Sequence, residues 1–234
     1  MWKNVSKNML RDLKTQAYVL RRTNYAEADR ILNLITPEGK FSAMARGVRK
    51  ARSKLAGGVE MFTLSEVNLH FGKGDLATLT SAKMVRFYTE ILKDLERTLK
   101  ASEFLKEINR AAEGVETPEI FEVLDKSLMA LNMKMNLDLV EAWFLLNLAR
   151  AMGEQINLFT DISGTRLDIE SRYNWNIEEM GLELNNNGVM DADAIKVLRL
   201  MWTMDILVIN RIKNVNSYVP EILRIARAVK KVVK

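Results

Sequence analysis

The sequence KFSAMARGVRKARSK, residues 40–54, passes from a strand pattern into a strongly basic loop. Apolar side chains alternate with others from residue 41 to 45, which predicts a β-strand over 40–48. The stretch holds six cations and no carboxylate: Lys40, Arg46, Arg49, Lys50, Arg52 and Lys54. Cations in a loop that follows a strand can approach a phosphate chain closely. The pattern favours a polyanionic partner, and a loop that only aids solubility is the alternative.

Four further short segments near this stretch have strand composition. They are residues 13–22, 30–36, 62–71 and 76–82, separated by turn signals such as Pro37-Glu38-Gly39. Small sheets tend to close on themselves to remove exposed edges, and a closed barrel of five strands is most often the oligonucleotide/oligosaccharide-binding (OB) architecture. The predicted barrel occupies residues 1–82.

The period of the apolar positions then changes to three or four residues, which predicts helices. We expect helices over 85–112 with a break near 98–102, over 118–132 with Thr117 as cap, over 137–152, from Asp191 or Asp193 to 209, and over 219–233. Residues 158–188 carry turn signals without periodicity and receive no assignment. The predicted fold class is therefore α+β, an N-terminal OB-fold barrel followed by a mostly α-helical domain over 83–234.

Composition narrows the classes of function. The chain has 234 residues with 48% hydrophobic content, no cysteine and one histidine, His70. Because the chain has no cysteine, thiolate zinc sites and cysteine nucleophiles are excluded. With a single histidine, histidine-based metal sites and catalytic triads are nearly excluded as well. We therefore expect no enzyme activity, no metal and no cofactor. No apolar run is long enough to cross a bilayer and no signal-peptide pattern opens the sequence, which predicts a cytoplasmic protein without a membrane partner.

The charge is concentrated in the first third of the chain. Residues 1–80 carry 14 Lys and Arg against 7 Asp and Glu, whereas residues 81–234 carry 21 against 23. Such asymmetry indicates that one domain binds nucleic acid or another anionic surface while the other has a different role.

Several side chains beside the basic stretch admit two interpretations. Tyr25 and Phe41 could stack on nucleic-acid bases, but an aromatic residue at the start of a strand is more often in the core. Glu27 and Asp29 resemble a pair of metal ligands, yet without a third ligand they fit better as residues that hold the neighbouring arginines. His70 is most simply structural.

Residues 18–69 resemble the N-terminal domain of the RecO recombination mediators. The matching features are a strand that ends in Arg21-Arg22, the segment Tyr25-Ala26-Glu27-Ala28-Asp29, an apolar strand that leads to Gly39-Lys40, the basic segment Ala45 to Lys50, and the strand that begins Phe62-Thr63. Many members of the family carry a four-cysteine zinc site in the helical domain. Residues 156–190 contain no cysteine here, so the resemblance implies a zinc-free member.

The resemblance implies a DNA-binding mediator of DNA repair. Such a protein binds single- and double-stranded DNA, promotes strand annealing, and helps load recombinase together with RecR and the single-stranded-DNA-binding protein, in association with the nucleoid. The expected phosphate contacts are Arg21, Arg22, Lys40, Arg46, Arg49, Lys50, Arg52, Lys54 and Lys73. A protein adaptor with an OB-like barrel that does not bind DNA is the alternative.

The resemblance also implies that the helical domain binds the C-terminal tail of the single-stranded-DNA-binding protein. An acidic tail with a terminal apolar residue requires an apolar pocket rimmed by cations. The expected contacts are Phe87, Arg97, Lys100, Leu105 and Arg110, although each could equally be an ordinary helix residue.

Overall fold

A computed structural model describes residues 11–113 and 118–232 of the chain. The chain forms two compact units, Met1–Leu124 and Asp125–Lys234. The first contains five strands: β1 (Asp12–Tyr25), β2 (Asp29–Thr36), β3 (Gly39–Ala45), β4 (Thr63–His70) and β5 (Ala77–Phe87). A 3₁₀ turn, Ala56–Val59, lies between β3 and β4. The helices α1 (Thr89–Leu92), α2 (Leu95–Ala111) and the first half of α3 (Pro118–Asn132) complete this unit.

The five strands close into a barrel in the order β1-β2-β3-β5-β4. All neighbours are antiparallel except β3 and β5, which run parallel. Alternate side chains of β2 and β4, including Leu32, Leu34, Val67 and Leu69, fill the interior. This alternation is the period that the sequence showed, because successive residues of a strand point to opposite faces. The prediction of an OB-fold barrel followed by helices is confirmed.

The end of β5 was predicted wrongly. Val85 was expected to open a helix, but the strand continues to Phe87, which pairs with Thr63 of β4. β3 is shorter than predicted and ends at Ala45. A local apolar spacing cannot reveal a cross-strand partner some twenty residues away, so the ladder with β4 decides where β5 ends.

The predicted helix break near 98–102 is also misplaced. The chain turns at Lys93 and Asp94, and α2 then runs without interruption. The Asp94 carboxylate accepts the Arg97 amide at 3.2 Å and caps the new helix. The Thr98 hydroxyl, four residues after Asp94, donates to the Ile91 carbonyl oxygen at 2.6 Å and ties the two helices together.

Contacts that lie beyond residue 82 complete the core of the first unit. Tyr18 of β1 is buried, and its hydroxyl lies 2.9 Å from the hydroxyl of Tyr88. Its ring also packs against Phe121 of α3, with centroids 5.6 Å apart. The division of the chain into residues 1–82 and 83–234 stays a prediction, but the compact unit around the barrel extends to Leu124.

The second unit is mostly helical. It holds the rest of α3, then α4 (Leu137–Ala151), α5 (Ala192–Thr203), α6 (Ile206–Ile209) and α7 (Val215–Val232). Most of α4 is buried, and its Asn147 side chain donates to the Met201 carbonyl oxygen of α5 at 2.9 Å. Glu141 of α4 accepts two hydrogen bonds from the Arg227 guanidinium of α7. Buried polar groups paired in this way fix how α4 packs against α5 and α7.

Two expectations for this unit need correction, and the structure defines the region that received no assignment. The helix expected to continue to residue 209 is interrupted at Met204, where Asp205 starts α6. The last helix begins at Val215 instead of 219, with Pro220 inside it. The unassigned region holds a three-stranded sheet in the order β6-β8-β7, made of β6 (Asn157–Asp161), β7 (Tyr173–Asn176) and β8 (Gly181–Leu184). Thr117 and residue 233 lie outside the described residues.

Asp205 provides a test of these helix contacts. Burial raises the pKa of its carboxyl, but the Leu207 amide and the Lys126 ammonium at 2.9 Å offset this, so the pKa lies below its ordinary value. A lowered pKa in the folded state contributes stability above the unfolded pKa of about 4, and this stability is lost as the pH falls through the folded value. Asp205→Asn should therefore reduce the free energy of unfolding at pH 7 by about 0.5–1 kcal/mol.

The difference between Asp205→Asn and the unchanged protein should shrink when urea unfolding is repeated below about pH 4. Asp193→Asn, at an exposed position in the first turn of α5, is the matched control and should change little. An equal loss for Asp205→Asn at both pH values would contradict the assignment of this effect to charge.

No helix in the described ranges combines the length and apolar content needed to span a bilayer.

Candidate nucleic-acid interface

The basic loop, residues 46–54, follows β3 and leads to the 3₁₀ turn. Gly47 adopts a left-handed backbone with φ of +62° at the start of the loop, a conformation that glycine tolerates without strain. The Val48 side chain is buried against the barrel interior. The loop is therefore fixed to the core at its start, while the side chains of Arg46, Arg49 and Lys50 on either side of this anchor are exposed.

Three hydrogen bonds that each involve a backbone group hold the basic loop against the turn between β1 and β2. The Asp29 carboxylate accepts the Gly47 amide at 2.7 Å, and the Ala28 carbonyl oxygen accepts the Arg49 amide at 2.9 Å. The Arg49 guanidinium also donates to the Ala26 carbonyl oxygen at 3.4 Å. Because these bonds set the loop conformation, little ordering entropy remains to be lost when a ligand binds.

The charge of the basic loop is not neutralised within the described part of the chain. There, none of its five cations has a carboxylate oxygen within 4.0 Å: Arg46, Arg49, Lys50, Arg52 and Lys54. All five are exposed. Fixed cations of one sign raise the local concentration of anions, and a phosphate backbone is the common biological ligand for such an array.

The other predicted phosphate contacts differ in availability. Arg21 and Lys73 are exposed, on β1 and in the turn between β4 and β5. Arg22 pairs with Glu60 at 2.7 Å and retains 27% side-chain exposure, so its charge is already partly neutralised. The sequence places Arg21 and Arg22 together, but only Arg21 lies on an exposed face.

Lys40 must be removed from the set of phosphate contacts. Its side chain is only 12% exposed, and its ammonium donates to the Asn109 carbonyl oxygen near the end of α2 at 2.7 Å. Glu113 lies 3.7 Å from the same ammonium. A lysine at a helix C-terminus satisfies carbonyl groups that have no partner within the helix. Lys40 therefore fixes α2 to the barrel.

The end of α2 covers part of the outer face of β2 and β3. The Asn33 side chain of β2 donates to the Asn109 side chain at 3.4 Å, beside the contact made by Lys40 of β3. In OB folds this face and the loops around it are the usual ligand site. In this chain the accessible cations lie at the other end of β3, in the basic loop.

The two aromatic candidates for base stacking differ in their exposure. Phe41 is half-buried and packs edge-on against Phe71, with centroids 5.4 Å apart, which supports the core interpretation. Tyr25 is 52% exposed at the end of β1, next to the turn that holds the basic loop. Tyr25 is therefore the side chain of the two that can meet a nucleic-acid base.

Asp29 has a different role from the one expected. It was expected to hold arginine side chains, but it binds the Gly47 backbone and so positions the loop that carries the arginines. Glu27 is exposed. Within residues 11–113 and 118–232, no three His, Asp or Glu side chains come together as a metal site.

The predicted contacts for a partner tail differ in exposure and lie on different elements. Leu105 is buried in the core, which removes it from the candidates. Arg97 is 12% exposed and pairs with Asp94, while Lys100 pairs with Glu103. Phe87 and Arg110 are exposed, but Phe87 belongs to β5 and Arg110 to the last turn of α2.

A cavity with the required chemistry lies instead along α7. It has a volume of about 310 Å³ and is lined by Ile177, Pro220, Leu223, Ala228, Arg224 and Arg227. The two arginines are half-exposed, at 50% and 55% of their side chains. Hydrogen bonds that the Arg224 guanidinium donates to the Glu221 carboxylate raise the pKa of Arg224. The apolar lining suits a ligand with an apolar side chain, and an acidic group on that ligand would share Arg224 with Glu221 and Arg227 with Glu141. The sequence predicted the helix over 219–233, but Ile177, which completes the cavity, comes from the region that received no assignment.

The barrel, the fixed basic loop and the helices define an OB-fold protein with an exposed cationic loop. The family model described as "Recombination protein O N terminal" matches residues 9–88. A DNA repair protein RecO from Dehalococcoides mccartyi is 30% identical over 212 residues, which cover 86% of this chain and 83% of that protein. A DNA repair protein RecO from Heliobacterium modesticaldum is 32% identical over 209 residues, 84% of this chain and 76% of that protein. The chain belongs to the RecO family of DNA repair proteins.

Proposed function

We propose that the chain is a DNA-binding recombination mediator that holds single- and double-stranded DNA on its basic loop. The observation that carries this proposal is the set of five exposed cations on a loop whose backbone is fixed by Asp29, Ala28 and the buried Val48. Such a loop can bind successive phosphates without reading bases. The coverage of the outer β2 and β3 face by α2 is consistent with contacts that are mainly to the backbone of DNA.

The proposed role involves no covalent chemistry. A mediator that neutralises two strands brings them together at reduced repulsion, which favours annealing, and it can help recombinase to replace the single-stranded-DNA-binding protein. Membership of the RecO family supports RecR and the single-stranded-DNA-binding protein as partners, and it supports a cytoplasmic location at the nucleoid.

Salt dependence of DNA binding tests this proposal directly. If about four to six phosphates are neutralised, log K against log salt should have a slope of roughly −0.7 per phosphate on single strands. The affinity for a fluorescent oligonucleotide, measured by anisotropy, should then fall more than tenfold between low and physiological salt. Unrelated sequences should bind about equally. Affinity that does not respond to salt would contradict the proposal, and no binding at low salt would favour the adaptor alternative.

We also propose that the cavity along α7 binds the acidic tail of the single-stranded-DNA-binding protein. Its apolar floor can accept the terminal apolar side chain while Arg224 pairs with a carboxylate. Arg224→Glu should weaken a fluorescent tail peptide about tenfold, because an attraction becomes a repulsion. Arg211→Glu, the same charge change at an exposed position outside the cavity, should have little effect. Binding that survives removal of the last residues of the peptide would contradict the pocket.

A further inference from the structure

One edge of the barrel is open along the outer half of β5. β5 pairs with β4 from Thr78 to Phe87, but on its other side β3 reaches only Ala77 and Thr78. In the part of the chain that the structure describes, no strand pairs with that side beyond Thr78. Backbone N–H and C=O groups on this edge can therefore accept another strand.

The side chains of this edge are exposed on both faces of the strand. All five residues from 83 to 87 are exposed, and they include the apolar Met84, Val85 and Phe87 at 44%, 52% and 36%. Exposed apolar strand edges promote pairing with other chains, and proteins usually protect them by charge, proline or a covering segment. Lys83, Arg86 and the register shift opposite Leu64 and Ser65 give this edge some of that protection, and the 3₁₀ turn packs against Ala82. Beyond Ala82 no described strand covers the edge, which leaves Met84, Val85 and Phe87 open to a partner.

The edge strand itself carries only cations, while Glu66 of β4, the cross-strand neighbour of Lys83, pairs with Lys14 at 3.1 Å. β5 carries Lys83 and Arg86 and no carboxylate. The Gly58 backbone packs directly against the backbone of Ala82, so the 3₁₀ turn that follows the basic loop lies beside β5. Lys54 precedes that turn and Lys83 follows Ala82, and neither has a carboxylate within ion-pair distance among the described residues. An acidic partner fits this charge.

We propose that residues 83–87 of β5 bind an extended acidic segment of a partner protein, which adds one strand to the barrel edge. The register of β5 against β4 shifts by one residue between Met84 and Arg86, so Lys83 and Arg86 lie on one face of the strand and Met84 and Phe87 on the other. The segment would alternate apolar residues, which cover Met84 and Phe87, with Asp or Glu near Lys83 and Arg86. A polypeptide strand satisfies the alternating N–H and C=O groups of the edge, whereas a nucleic acid has no matching ladder. This inference does not depend on the proposed DNA contacts of the basic loop.

The experiment uses the full chain and a fluorescein-labelled peptide, Asp-Val-Glu-Val-Asp-Val-Glu. Lys83→Glu should weaken binding about fivefold, as expected for one exposed charge pair. Lys106→Glu, the same change at an exposed position on α2, should leave binding unchanged. Two further peptides carry N-methyl groups either on the valines or on the acidic residues. Because alternate amides face opposite edges of a strand, only one of these peptides should retain binding.

Hydrogen exchange identifies the surface that the peptide covers. The amides of residues 83–87 on the open edge should exchange more slowly when the peptide is bound. Equal binding of both N-methylated peptides would overturn the proposal, because the contact would not be a strand ladder. Protection of the same amides by an oligonucleotide but not by the peptide would assign the edge to DNA. Concentration-dependent self-association abolished by Lys83→Glu would show that a second copy occupies it, which would also overturn the proposal.

Discussion

Replacing Arg46, Arg49 and Lys50 together by alanine should lower the affinity for single-stranded DNA by about 10- to 100-fold near 0.1 M salt. The three side chains are exposed on a loop whose backbone is anchored mainly through Gly47, Val48 and the Arg49 amide, and the Arg49 guanidinium adds one bond of 3.4 Å to the Ala26 carbonyl oxygen. The loop should therefore keep its shape when the charges are removed. The slope of log K against log salt should become less steep by about 2, since each lost phosphate contact contributes roughly 0.7.

The matched control for this triple variant removes the same charge elsewhere. Lys106, Arg150 and Lys196 are exposed on α2, α4 and α5, outside the basic loop, and alanine at all three also lowers the net charge by three. If DNA binding depends on the cations of the basic loop, this control should keep most of its affinity. Equal losses in the two triple variants would mean that only net charge attracts DNA, and loss on one DNA sequence alone would indicate base readout.

The sequence was sufficient to predict the barrel and the basic loop, because both depend on local pattern. Alternation marked β2, β3 and β4, and the absence of carboxylates from residues 40–54 marked the loop. An exposed cation in a loop needs no tertiary contact to be recognised. The predictions for Arg46, Arg49 and Lys50 therefore agree with their observed exposure.

Residues whose role depends on distant contacts could not be predicted in the same way. Lys40 lies next to the basic loop in sequence, but its contact is Asn109, 69 positions away. Leu105 has the same apolar character as a pocket residue and is buried because of how α2 packs. The open edge of β5 was missed because strand composition does not show how many partners a strand has. Val85, with Tyr88 three positions further on, fits a helical spacing as well.

The free energy of unfolding should be highly sensitive to one methyl group added at Gly58, in the 3₁₀ turn after the basic loop. A Cβ atom on Gly58 would lie 2.6 Å from the carbonyl carbon and oxygen of Ala82 and 2.7 Å from its Cβ. Backbone atoms held in the β4–β5 ladder cannot move aside as the end of a side chain can. Gly58→Ala should therefore reduce the free energy of unfolding by about 3 kcal/mol, at the upper end of what overpacking costs. The melting temperature should fall by about 6–12 °C.

Gly57→Ala is the matched control for Gly58→Ala, because no atom lies within 4 Å of a Cβ built on Gly57 and the position is exposed. Its stability should stay within about 0.5 kcal/mol of the unchanged protein.

Since the 3₁₀ turn also fixes the far end of the basic loop, Gly58→Ala should weaken DNA binding a few-fold below its melting temperature, whereas Gly57→Ala should not. Thermal unfolding and oligonucleotide anisotropy on the two variants measure both effects. Equal stability of the two variants would mean that the turn does not pack against β5, and a stability loss without weaker DNA binding would mean that the start of the loop alone holds its cations in place.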